Sequence, residues 1–160
     1  MNEKTIETLL VPALAARGLT MATAESCTGG LIAKRLTDVP GASAVYLGGV
    51  VSYANQVKEG VLGVAHETLS AHGAVSAEVA AQMARGARRA TSADVAVSTT
   101  GIAGPGGGTP AKPVGTVWLG FSSAAGEETR LLQLDPTADR ATIREQAAAL
   151  ALAWVMEKIK

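Results

Sequence analysis

A chain of 160 residues has room for one core of ordinary size, and a second domain would be unusually small. Fourteen basic residues offset fourteen acidic ones, and Lys and Arg run together in nothing longer than short pairs such as Arg88-Arg89, with Lys158 and Lys160 near the end, so nucleic-acid binding through a basic surface is poorly supported. No run approaches the roughly 18 apolar residues of a membrane span, the acidic N-terminus does not read as a signal peptide, and a single cysteine closes no internal disulfide; a soluble cytoplasmic protein without a membrane partner is expected.

The hydrophobic fraction is 48% but only 3% of residues are aromatic, so Ala, Val and Leu must fill the core, a palette suited to helices lying close on a sheet. Residues 3–17 place Ile6, Leu9, Leu10 and Leu14 three and four apart, which predicts an amphipathic helix with Gly18 as its C-cap. Residues 19–25 read as a strand that runs into Ser26, and residues 30–37 as a helix ended by Pro40-Gly41. A Val-, Tyr- and Gly-rich strand follows over 43–53, bent at Gly48-Gly49. Short helices are predicted over 56–62 and from about His66, then a long one capped by Ser76 and running through Arg89. The apolar strand at 94–99 enters GIAGPGGGTPAKPVG, the most Gly- and Pro-dense stretch of the chain. Strands at 115–123 and 129–134 form a hairpin through Ala125-Gly126, and residues 137–160 read as one helix with Arg140 and Arg144 on the same face. Strands interleaved with helices, ending in two adjacent strands, predict one three-layer α/β/α domain over 1–160 around a mixed sheet.

Chemistry concentrates at AESCTGG, residues 24–30. Ser26 follows a strand and precedes a helix, so the backbone N–H groups of Thr28, Gly29 and Gly30 are candidate donors to an anion or a developing oxyanion. The competing reading is that Thr28 caps the next helix while the glycines permit close packing. Neither the Gly-x-Ser-x-Gly elbow nor Ser-x-x-Lys is present. His66 and His72 lack metalloprotease spacing, and Cys27 beside a strand end reads as inert packing. Lys58 remains as a base, provided that burial or a cationic neighbour lowers its pKa; a solvated helix lysine is the alternative. The Gly-Pro stretch fails the P-loop pattern, since Pro113 follows Lys112. Arg140 is placed to grip a phosphate or carboxylate, or is an ordinary exposed helix residue.

Five motifs in register, AESCTGG, GGVVSYANQVKEGVLGV, HGAVS, TTGIAGPGGGTPAKPVGTVWLGF and DRATIREQAA, resemble the C-terminal domain of the competence- and damage-inducible protein (CinA) family over about residues 5–155. The resemblance implies an anticodon-binding-domain-like fold with a mixed, mainly parallel five-stranded sheet, and the stand-alone nicotinamide-nucleotide amidase form. It further implies hydrolysis of nicotinamide mononucleotide to nicotinate mononucleotide and ammonia, with Ser26 as nucleophile, Lys58 as base, and Tyr53, Thr100 and Arg140 at active-site positions. Some members carry Ser where Thr100 stands. No cofactor and no metal are implied, the partner is a small nucleotide, and a homodimer is expected. Arg140 is left with two roles, gripping the phosphate or lowering the Lys58 pKa. A non-catalytic nucleotide-binding or regulatory module is the rival, and a DNA-uptake factor fits the balanced charge badly.

Overall fold

The computed structural model describes residues 4–160; residue 3, where the sequence reading starts the first helix, lies outside them. In chain order the elements are α1 (Ile6–Arg17), β1 (Met21–Glu25), α2 (Leu31–Thr37), β2 (Tyr46–Val51), α3 (Asn55–Gly60), α4 (His66–His72), α5 (Ala77–Thr91), β3 (Val95–Gly101), β4 (Thr116–Ser123), β5 (Gly126–Gln133) and α6 (Arg140–Lys158). No helix among the described residues is long and apolar enough to cross a membrane.

The sheet has the order β2-β1-β3-β4-β5. β1 pairs in parallel with β2 and β3, and β4 pairs antiparallel with β3 and β5, so β4 alone runs against the others. This is the mixed, mainly parallel sheet that the sequence predicts. All five residues of central β1 are buried, and alternate side chains serve opposite faces. On one face Met21, Val97, Val117 and Leu119 meet Leu10 and Leu14 of α1, Leu36 of α2 and Leu152 of α6. On the other Ala22, Ala24 and Ala96 meet Val79, Met83 and Ala87 of α5. Small residues let α5 lie directly on the strands: a Cβ at Gly120 would come within 2.1 Å of the Ala80 carbonyl oxygen.

Several boundaries differ from the sequence reading for local reasons. Residues 43 and 44 belong to a 3-10 turn, Ala42–Ala44, rather than to β2. The predicted bend in β2 is a register shift, Met21 facing Tyr46 and Ala22 facing Gly48. The last helix begins at Arg140 because Asp139 caps it, accepting from the Thr142 N–H at 2.7 Å. Asp135 meanwhile folds Thr137 into a side-chain-bonded turn. The hairpin pairs Ser123 with Gly126, so β5 starts three residues before its predicted position.

From β1 the chain passes through α2 to β2 on one side of the sheet, and β3 lies on the other side of β1. Such a reversal opens a crevice beyond the carboxyl ends of the central strands. Ser26 follows β1 there, Ser52 and Tyr53 follow β2, and the Gly-Pro loop follows β3.

Candidate active site

A cavity of about 270 Å³ fills this crevice, and its walls include Ser26, Tyr53, Lys58, Thr100 and Arg140. Five positions separated by as many as 114 residues in sequence (140 − 26) thus face one space. Ser26 is held at the end of β1 by its N–H, which donates to the Thr99 carbonyl at 3.0 Å. Lys58 rises from α3 and is 1% exposed. Its Nζ lies 3.0 Å from Ser26 Oγ, 2.7 Å from the Ser52 carbonyl oxygen and 3.3 Å from that of Tyr53.

Three acceptor oxygens thus surround Nζ. Nζ donates to Ser26 Oγ as well as to the two carbonyls; on losing a proton it would keep two N–H bonds to the carbonyls and turn its lone pair to the Ser26 hydroxyl. No carboxylate is among the Nζ contacts. Burial pushes the Lys58 amine below its ordinary value of 10.5, an effect that Cys27 opposes only in part. Burial is the main cause of this lowering, and Arg140 is not among its causes. Arg140 Nη1 instead donates to the Gly104 carbonyl at 2.7 Å and Nη2 to the Tyr53 hydroxyl at 3.0 Å. Tyr53 is 63% exposed, so this bridge crosses the mouth of the cavity between the β2 and β3 sides. Thr100 is buried, and its hydroxyl donates to the Ala74 carbonyl at 2.8 Å.

Thr28, Gly29 and Gly30 lie behind the cavity wall, which is formed on this side by Ser26 and Cys27. The Gly29 N–H closes a turn on the Ser26 carbonyl at 3.0 Å and is spent within it. Nor does Thr28 cap α2. Its hydroxyl lies 2.7 Å from both Glu25 Oε1 and Thr99 Oγ1. The cap is Glu25, whose Oε1 accepts from the Ile32 N–H at 2.8 Å and whose Oε2 accepts from the Ala33 N–H at 3.1 Å. Sequence reasoning missed this residue, although a carboxylate six positions before the helix start was the available signal.

The other candidates fall away from the chemistry. Cys27 touches the cavity, but burial pushes its thiol up to about 11, so it stays protonated near neutral pH. His66 lies against Glu59 on the surface, and His72 lies 3.8 Å from Glu78. Lys112 donates to the His72 carbonyl at 2.8 Å and holds the far end of the Gly-Pro loop. Gly104 and Gly107 of that loop adopt positive φ, 78° and 86°, and bring backbone rather than side chains to the cavity wall.

A family model described as the CinA C-terminal domain matches residues 3–159. A CinA-like protein of Salinibacter ruber is 54% identical over 151 residues, covering 94% of this chain and 36% of the relative. One of Chlorobaculum tepidum is 59% identical over 122 residues, 76% of this chain and 29% of the relative. This chain spans about a third of the length of such curated relatives. Among solved structures, the competence/damage inducible protein CihA from Agrobacterium tumefaciens superposes with a TM-score of 0.92 at 42% identity, covering 98% of this chain and 97% of that one. A competence-damaged protein (CinA) superfamily protein from Escherichia coli gives 0.90 at 35% identity, with coverage of 94% and 87%.

Proposed function

This chain belongs to the CinA C-terminal domain family, and from that premise we propose that it is an amidohydrolase that converts nicotinamide mononucleotide to nicotinate mononucleotide and ammonia. The observation that carries the reading is the 3.0 Å approach of a fully buried lysine amine to Ser26 Oγ, with no carboxylate to hold that amine charged. Neutral Lys58 takes the hydroxyl proton as Oγ attacks the carboxamide carbon, and the new ammonium returns that proton to the departing amide nitrogen, which leaves as ammonia. Water, deprotonated by the same amine, cleaves the resulting ester and regenerates Ser26.

Arg140 at the cavity mouth suits the substrate phosphate, since its remaining guanidinium donors are free to add to the two bonds it already makes. Exposed Tyr53 beside it offers an aromatic face to the flat pyridine ring. The direct test is ammonia release from nicotinamide mononucleotide by the purified protein, compared with a Ser26→Ala variant of unchanged thermal stability. Turnover is expected in the first and a loss of at least about a thousandfold in the second. A folded wild type that binds the nucleotide without releasing ammonia would instead establish the binding-module reading.

A further inference from the structure

The turn that carries Ser26 is gripped from three directions. β3 takes the Ser26 N–H through the Thr99 carbonyl, and Glu25 and Thr99 fix the Thr28 side chain from within. The third grip comes from α6, on the opposite side of a long stretch of sequence. Arg144 Nε donates to the Cys27 carbonyl at 3.0 Å, and Nη2 donates to the Thr28 carbonyl at 2.9 Å. Arg144 is half-buried and spans two consecutive peptide groups with the flat fork that a guanidinium provides.

A peptide group is planar, so its carbonyl and the following N–H point in opposite directions. Holding the Cys27 carbonyl toward α6 therefore turns the Thr28 N–H away from α6. Among the described residues that N–H and the neighbouring Cys27 N–H take no backbone partner, whereas the Gly29 N–H is used inside the turn. Two adjacent free donors directly after the nucleophile are what a developing oxyanion requires. The Thr28 carbonyl already accepts from Leu31, so the contact that only Arg144 supplies is the one to Cys27, and that contact sets the plane containing the Thr28 N–H.

We propose that Arg144 is a positioning residue that fixes the Cys27-Thr28 peptide plane, so that its N–H stabilises negative charge on the carbonyl oxygen attacked by Ser26. The proposal rests on the amidase reading for its natural substrate but not for its test, because a fluorophosphonate probe traps an activated serine whatever the substrate. With Arg144→Ala, kcat for ammonia release and the rate of Ser26 labelling are both expected to fall about a hundredfold, with KM within about threefold of wild type. Arg144→Lys keeps the charge but offers a point donor in place of the fork, so its kcat lies between the two. The acid limb of the pH profile stays where it is in every variant, because Lys58 is untouched.

Labelling and kcat within about threefold of wild type in Arg144→Ala, or a loss confined to KM, overturns the proposal. Should that variant not fold, Arg144→Lys decides: wild-type labelling there refutes the need for two simultaneous carbonyl contacts. A wild type that labels at Ser26 yet releases no ammonia removes the amidase reading and leaves Arg144 to be judged on labelling alone. A wild type that neither labels nor turns over sinks both.

Discussion

Glu25 and Lys58 are both 1% exposed and both sit where β1 ends, yet the fold treats their charges in opposite ways. The carboxylate is surrounded by donors: the Thr28 hydroxyl and the Ile32 and Ala33 N–H groups at the start of α2. Together they satisfy both carboxylate oxygens and tie the turn to the start of α2. The amine meets only carbonyl and hydroxyl oxygens. Had the two side chains met, an ion pair would have held Lys58 protonated and useless as a base. Glu25 ties the turn to α2, and Lys58 meets no carboxylate that would hold it charged.

The largest expected effect comes from removing the uncompensated amine. Lys58→Met should lower ammonia release by about a thousandfold or more, because no other group near Ser26 Oγ can take its proton. The same variant should change the pH dependence of folding. A lysine whose folded pKa lies below 10.5 is charged in both states at low pH, where the cost of burying that charge is fully expressed. Stability then rises as pH climbs through the folded value toward 10.5. Melting temperatures across that interval should show the rise in wild type and lose it in the variant. In wild type kcat/KM should also climb with pH on its acid side, and a flat profile there would rule Lys58 out as base.

An intermediate effect is expected at the compensated charge. Glu25→Gln keeps the volume but sets an NH2 group among donors, which should cost about 2 kcal/mol and lower the melting temperature by about 5 °C. Its kcat should fall by less than that of Lys58→Met while the acid limb stays in place. If the limb moved instead, the two centres would be electrically coupled and the contrast between them would fail. The smallest effect belongs to Cys27, which lies between them in sequence. Cys27→Ala should keep ammonia release within about threefold of wild type. Because the thiol titrates near 11, iodoacetamide should react slowly at neutral pH and faster as pH approaches that value.

The regular elements were legible because each carries a local signal. Gly18 closes α1 with φ 63°, Ser76 caps α5 by accepting from the Val79 N–H, and alternating Val and Leu mark β4. Strand ends were harder to read. Ser52 and Tyr53 read as the end of β2, yet their carbonyls turn to Lys58, a contact that depends on where α3 packs. At the candidate site, Ser26 and Lys58 could be picked out by chemical type and by resemblance to a family. Glu25 and Arg144 could not, because their partners lie on a helix seven residues on and across 117 residues of chain. Gly29 shows a related limit. Gly29 has φ 59°, which identifies a tight turn but does not say which of its N–H groups the turn itself consumes.

Lys58 is held by dipoles and screened from water, whereas the Arg140 guanidinium stands at the cavity mouth. Mobile ions act over about 8 to 10 Å in ordinary buffers and reach exposed charges far more readily than enclosed ones. On the proposed function, proton transfer at Ser26 would be insulated from the ionic composition of the medium, while capture of an anionic nucleotide would not. With no net charge on the chain to draw such a nucleotide in over long range, that reading places the attraction on groups at the entrance such as the Arg140 guanidinium.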